Sequence, residues 1–333
     1  VTPPIQPRYP VYIPSKGRAT KCLTGRFLVK DGVDFRLVVE PQERSLYAKE
    51  FGDAKVLALP FRDLGLGSIP ARNWIKQHAL ASGADRHWCI DDNIWCIRRI
   101  YHGKRIPCAS GPALASVEDF VDRYENVAIA GLNYHFFVVP GHNIPPVFLN
   151  VHAYSCMLIR SDLTQEWRGR YNEDTDLCLQ VLNERDPDCI DSERSPTGVC
   201  AHHGDSLAKG PHGRWVIFLV NWVAIDKLQT MRAKGGNTDE LYKDDGRLTM
   251  ARSLERMWPG VVTTTRRFKR PQHHIFDSWQ RFDTQPRRRA DVDFTKFAKA
   301  NEYGMDLFAV DQAKIGPGLQ KTIDEWQDRR KPR

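Results

Sequence analysis

Over the first 160 residues the hydrophobic pattern switches repeatedly between short apolar runs and stretches of helical period. The apolar runs fall at 9–13, 35–39, 56–59, 87–90, 127–131 and 154–159. Several show no polar alternation, as expected of strands covered on both faces. Between them, residues 70–82 read as a helix. Pro70 suits its first turn, Ala71, Ile75 and Ala79 make an apolar stripe, and Gly83 stops it. This alternation predicts an α/β fold with a mostly parallel central sheet. Further on, residues 214–234 are rich in Trp, Val, Ile and Leu, end at Gly235-Gly236, and read as a long helix. A second helix over 248–258 is stopped by Pro259. Beyond it Arg, His, Pro and aromatic residues interleave, which divides the chain into a domain over 1–245 and a C-terminal segment over 246–333 packed on it.

Composition narrows the class. Hydrophobic residues make up 41% of the 333, with nine Trp and fifteen Phe, which is enough for a core and excludes a disordered chain. The longest strongly apolar stretch, 215–225, is about half a bilayer span and is broken by Asn221, so no membrane partner is expected. No basic-then-apolar leader opens the sequence. The eight Cys are scattered without Cys-x-x-Cys spacing, which argues against a zinc ribbon or a disulfide scaffold and for free thiols in the cytoplasm.

Charge adds a direction. Lys and Arg number 49 against 41 Asp and Glu, a net +8. Residues 1–246 hold 30 basic and 30 acidic side chains, so the whole surplus, 19 against 11, lies in the last quarter. A neutral body with a basic end points to one surface built for a polyanion.

The candidate chemistry begins at Asp91 and Asp92, which end the apolar run 87–90. That is where an open α/β sheet presents its ligand crevice. Adjacent carboxylates repel unless a cation or donors compensate them. A divalent ion bridging to a diphosphate meets that need with hard oxygen ligands; a solvated turn is the plain alternative. Upstream lie Pro14, Ser15, Lys16 and Arg18 after the first strand, and Ala71-Arg72-Asn73 at a helix start. Downstream, Asn172-Glu173-Asp174-Thr175-Asp176 precedes a helical pattern with Leu177, Cys178, Val181 and Leu182 on one face. Asn172 there reads as an N-cap, and acids in a first turn suit the helix dipole without any catalysis. His202 and His203 follow later.

In their order and spacing, these landmarks resemble the nucleotide-sugar glycosyltransferases of the GT-A fold over roughly residues 10–205. The resemblance implies a nucleotide-sugar donor contacted by Pro14, Ser15, Lys16, Arg18, Glu40, Arg72, Asn73 and Asp91. It implies Mn²⁺ or Mg²⁺ on Asp91 and Asp92, with His202 or His203 as a further ligand. It also implies Asp174 as the base that deprotonates the acceptor, with Glu173 and Asp176 as alternatives, in a direct displacement with inversion. The stretch 131–137, with Asn133, Tyr134 and His135, lies where the family lines its acceptor pocket.

The late segment, from Lys234-Gly235-Gly236 through Trp258-Pro259 to Arg266–His274, is similar to the DNA-base glycosyltransferases associated with TET/JBP oxygenases. That group includes the base J glucosyltransferase of kinetoplastids and bacteriophage enzymes. It implies transfer of a hexose from a UDP-sugar, UDP-glucose or a UDP-N-acetylhexosamine, to a 5-hydroxymethylpyrimidine in DNA, with 5-hydroxymethylcytosine favoured. A phage member would act in the host cytoplasm. Between 266 and 289 there are eight Lys/Arg and two acids, interleaved with Phe268, Phe276, Trp279 and Phe282. Such cations release counterions from phosphates, and aromatic rings stack on displaced bases. Arg266, Arg267, Lys269, Arg270 and His273 are the expected DNA contacts. A protein acceptor and an inactive DNA-binding module are the rival readings. The charge-balanced core with its confined basic segment argues against the first, and the intact acidic motifs argue against the second.

Overall fold

The computed structural model describes residues 3–101, 104–138, 144–169, 171–187, 213–228, 247–267, 270–275, 279 and 281–294. In chain order its strands are β1 (Val11–Pro14), β2 (Arg36–Val39), β3 (Val56–Ala58), β4 (Arg86–Ile90), β5 (Ile94–Tyr101), β6 (Lys104–Cys108), β7 (Val127–Tyr134), β8 (Val147–Leu149), β9 (Cys156–Arg160), β10 (Val216–Lys227), β11 (Thr263–Arg267) and β12 (Arg270–His274). The α-helices are α1 (Leu23–Lys30), α2 (Arg44–Phe51), α3 (Ile69–Ala81), α4 (Ser110–Val121), α5 (Glu173–Leu182) and α6 (Arg247–Met257).

Ten strands form one sheet in the order β3-β2-β1-β4-β9-β7-β10-β5-β6, with β8 beside β10. Pairing is parallel for β1 with β2 and β4, for β2 with β3, and for β7 with β10. β9 lies antiparallel between β4 and β7, so those two point the same way. Following the pairings through, seven strands share one direction and β5, β8 and β9 oppose them. The fold is therefore the expected α/β class with a mostly parallel sheet. All five residues of β4 are buried, Arg86 and His87 among them, and Trp88, Cys89 and Ile90 make its apolar run.

Helix α3 starts one residue before the predicted position and carries Pro70 in its first turn. It buries Ile75 and Ala79 against the sheet, with Gly83 beyond its end at φ +78°. Lys76 is buried there too, its ammonium donating to the carbonyls of Leu163 (3.1 Å) and Gln165 (2.6 Å).

Two expectations change. Residues 216–227 form β10, a central strand, and not the first part of a helix over 214–234; residues 229–234 lie outside the described set. Eleven of its twelve residues are buried, because neighbours cover both faces and both edges. An apolar run buried all round carries no period that separates strand from helix. The hairpin β5–β6 was not predicted; its strands carry Arg98, Arg99, Lys104 and Arg105, which hide the apolar signal.

The C-terminal segment shares a core with the sheet. Leu254 of α6, Val262, Ile275, Trp279 and Phe282 pack in one cluster with Ile129, Met157 and Leu179. Trp279 and Phe282 are thus core residues and not surface rings awaiting a base, while Phe268, Lys269 and Phe276 lie outside the described residues. The following strap is tied down by asparagines. Asn150, at φ +52°, donates to the carbonyls of Phe282 and Thr284 (2.8 Å each), and Asn126 accepts from the Arg287 amide (2.7 Å). Arg287 pairs with Asp186 (2.8 Å) and Arg289 with Asp291 (2.7 Å), so both arginines already have carboxylate partners. No helix among the described residues is long and apolar enough to cross a membrane.

Candidate active site

The strands β1 and β4 run in parallel and release their chains at the same end of the sheet, where a cleft of about 400 Å³ opens. Pro14, Ser15, Lys16 and Arg18 after β1 form one wall, with Glu40 after β2. Asp91 and Asp92 after β4 form the floor, and Glu173 and Asp174 at the start of α5 face them across Arg72 of α3. This gathers residues separated by up to 160 positions in sequence, as the crossover topology of a parallel sheet requires.

Every oxygen of the acidic pair meets a donor. Asp91 Oδ1 accepts from Arg72 Nη2 (2.8 Å) and Oδ2 from Lys227 Nζ (2.9 Å). Asp92 Oδ1 accepts from Arg18 Nη1 (2.6 Å) and Oδ2 from Ser15 Oγ (2.6 Å). Burial alone would raise the Asp91 carboxyl, but the charges of Lys227 and Arg72 outweigh it and hold it at about 2. For Asp92 burial prevails over Arg18 and Ser15, and the carboxyl is raised.

Arg72 is buried between the two acidic motifs. One nitrogen reaches Asp91, the other binds Asp174 and lies 3.8 Å from Glu173, and the guanidinium sits 4.4 Å from the Trp167 ring centroid. Asn73 orients that tryptophan: its amide donates to the Trp167 carbonyl (2.9 Å) and accepts from the Trp167 amide (2.8 Å). Asn73 therefore lines no part of the cleft and supports it from behind, because the next helix residue turns about 100° away from Arg72.

The acids of α5 divide in the same way. Asp174 faces the cleft, and its carboxyl is raised to about 6, chiefly by burial and then by the nearby Glu173 and Asp91 charges, against the pull of Arg72. Asp176 is fully buried on the other side of the helix, where it accepts from Trp258 Nε1 (2.7 Å), Arg168 Nε (3.0 Å) and Gln180 Nε2 (2.7 Å). That position ties α5 to the C-terminal segment and keeps Asp176 out of the cleft lining. Asn172 occupies the N-cap position at φ +57° but makes no side-chain cap; its amide donates to the Met250 carbonyl (2.8 Å).

The far wall is aromatic. Tyr134, His152 and Tyr154 line it, with the Tyr134 and Tyr154 centroids 4.5 Å apart and His152 5.0 Å from Tyr154. His273, from β12, completes it. Burial, and then the His273 imidazole, drives His152 down to about 3, and burial, and then the His274 imidazole, drives His273 to about 4, so both are neutral at pH 7. Strand alternation separates the three expected acceptor residues at the end of β7 and just beyond it. Tyr134 points into the cleft, Asn133 is buried against Asn221 (2.9 Å), and His135 lies 3.4 Å from Asp226 outside it. Arg266 and Arg270 stand exposed on the β11–β12 hairpin. The Arg267 side chain, Lys269, His202 and His203 lie outside what is described.

Sequence reasoning missed Lys227, Ser155, Tyr154 and the loop 64–68. Gly65 and Gly67 in that loop sit at φ +67° and +64°, and the Gly-x-Gly before a Pro-started helix is a signal that was available. Lys227 had none once its strand was read as a helix.

The donor chemistry of the floor suits a hard divalent cation. The cleft is lined by five carboxylates, Glu40, Asp91, Asp92, Glu173 and Asp174, against four cations, Lys16, Arg18, Arg72 and Lys227. A diphosphate entering it adds negative charge that a further cation would offset. Among the described residues no group of three or more His, Cys, Asp or Glu side chains is arranged to hold a metal, and Asp91 and Asp92 bring two adjacent carboxylates to the cleft floor.

A family model described as TET-Associated Glycosyltransferase matches residues 9–189, which contain the floor, Arg72 and the start of α5. No curated protein matches the chain. A solved structure from Desulfovibrio desulfuricans G20, named as a "putative nucleotide-diphospho-sugar transferase", aligns at 12% identity over 52% of this chain and 74% of its own, with a TM-score of 0.31.

Proposed function

The chain belongs to the TET-associated glycosyltransferase family, and from that premise we propose that it moves a hexose from a UDP-sugar to the hydroxymethyl oxygen of a 5-hydroxymethylpyrimidine in DNA, with 5-hydroxymethylcytosine favoured. The observation that carries this reading is Arg72, which joins Asp91 on the donor floor to Asp174 at the start of α5 within one cleft. Donor and acceptor carboxylates thereby share a single reaction volume.

In this reading Ser15, Lys16, Arg18 and Glu40 bind the nucleoside end of the donor, and Arg72 faces the diphosphate. Asp91 and Asp92 would hold Mn²⁺ or Mg²⁺, which when bound supplies positive charge to the diphosphate. Asp174 accepts the proton of the acceptor hydroxyl as its oxygen attacks the anomeric carbon. The bond from that carbon to the diphosphate oxygen breaks, and its electrons leave with UDP. Tyr134, His152 and Tyr154 offer ring faces to a base withdrawn from the duplex, which a base-modifying enzyme must reach. Neutral His152 and His273 add no charge there, which suits an uncharged pyrimidine.

The test is mass analysis of nucleosides after incubating the protein and Mn²⁺ with UDP-glucose or UDP-N-acetylglucosamine and duplex DNA carrying 5-hydroxymethylcytosine or 5-hydroxymethyluracil. A hexose-sized gain on one base, lost with EDTA and restored by Mn²⁺, is expected. Sugar found on a protein substrate and on no base would overturn the DNA reading, and full activity in EDTA would overturn the metal assignment.

The exposed hairpin arginines give a separate expectation. Replacing Arg266 and Arg270 by Ala should lower the magnitude of the salt slope of DNA binding by about two, one per lost phosphate contact, and leave UDP affinity unchanged. An unchanged slope in a filter-binding series would remove the hairpin from the DNA surface.

A further inference from the structure

Lys227 ends β10 directly beyond a shift in its register with β5, between Asp226 and Lys227. Such bulges re-aim a side chain. Asp226 faces Arg98 (3.0 Å) and His135 (3.4 Å) away from the cleft, whereas Lys227 enters it. Its ammonium donates to Asp91 Oδ2 (2.9 Å) and to Ser155 Oγ (2.7 Å), and it lies 5.7 Å from the Tyr134 ring centroid. With 11% of its side chain exposed, it is a nearly buried cation between the acidic floor and the aromatic wall.

We propose that Lys227 binds the β-phosphate of the nucleotide-sugar and meets the charge that develops on the leaving diphosphate. The assignment rests on the donor reading above. Three features of the site carry it. An ammonium has three N–H donors, and among the described residues Asp91 and Ser155 take two, which leaves one for a ligand in the cleft. The position is the junction of donor and acceptor: Lys16 and Glu40 lie at the β1–β2 end, whereas Lys227 stands beside Tyr134 and Ser155 at the aromatic end. Finally, the charge is held in place before any ligand arrives, so meeting a developing anion costs little reorganisation. As the bond from the anomeric carbon to the β-phosphate oxygen breaks, its electron pair stays on that oxygen, which the Lys227 N–H faces. The acceptor proton goes to Asp174, and Lys227 keeps its own.

Calorimetric titration of UDP, UMP and uridine into wild type, Lys227→Gln and Lys227→Arg, all in saturating Mn²⁺, tests this. Gln retains a donor for Asp91 without the charge, and thermal unfolding would show whether each variant folds. Lys227→Gln should lose about 10–100-fold in UDP affinity, the range of a charge-assisted hydrogen bond, with UMP and uridine unchanged. Lys227→Arg should recover most of that loss. If Lys227→Gln binds UDP as wild type does, or weakens all three ligands equally, the lysine assignment falls and the donor reading stands. If wild-type protein binds none of the three, both fall.

Discussion

An Asp174→Asn substitution is expected to lower glycosyl transfer by about 10³-fold, within the range for losing a positioned general base. Asp174 faces the cleft from the first turn of α5 and is half-buried beside Arg72. The variant should fold, since the amide oxygen still accepts from Arg72, and it should bind UDP about as tightly as wild type. The pH dependence follows from the same burial, which raises the carboxyl to about 6. A base must be ionised, so the rate should rise about tenfold per pH unit below that value and level off above it. Replacing Asp174 should abolish that limb, because an amide does not titrate. The decisive comparison is single-turnover transfer by Asp174→Asn and Glu173→Gln across pH 5–8. If Asp174→Asn keeps more than a tenth of the rate while Glu173→Gln loses it, the base is Glu173.

The largest effect on stability is expected from Arg72→Met. This guanidinium contacts Asp91, Asp174 and Glu173 together, and it stacks near Trp167. Removing one partner from a buried ion cluster costs about 3–5 kcal/mol, because the remaining charges stay desolvated and unpaired. Asp91 would keep Lys227, but Asp174 would lose its hydrogen-bonded cation and still face the Glu173 charge. The deficit should therefore be largest above pH 6 and shrink as Asp174 takes up a proton below it. Urea unfolding of wild type and variant at pH 7.5 and pH 5 measures both quantities. A loss under about 1 kcal/mol at pH 7.5 would mean that the cluster is hydrated and that Arg72 does not hold it together. Arg72→Lys should lie between the two, since an ammonium cannot reach two carboxylates with one planar fork.

Much of the frame was legible from residue order. All six predicted strands and the helices at 69–81 and 247–257 occur within a few residues of their expected places, because fully covered strands leave unbroken apolar runs and Pro and Gly mark helix ends. The acidic pair after β4 was placed by the same logic, since that strand had to end at the ligand edge of a parallel sheet. The basic surplus was less informative than its position promised. Arg287 and Arg289 proved to be partnered in a structural strap, and the exposed cations among the described residues of that region include Arg266 and Arg270 on the hairpin.

What the sequence by itself determined was the class of fold, the order of its landmarks and the two acidic motifs. What only the tertiary structure decided was which neighbours in each motif face the reaction. Asp174 and Asp176 differ by two helix positions, about 200° of rotation, so one must face the cleft and the other the core. Tyr134 and its neighbours Asn133 and His135 split in the same way by strand alternation. Periodicity states that such residues diverge, but which one points inward depends on the partner packed against each element. For Lys227 even the period was hidden, since β10 is apolar on every side and only its pairing with β5 and β7 makes it a strand that ends in the cleft.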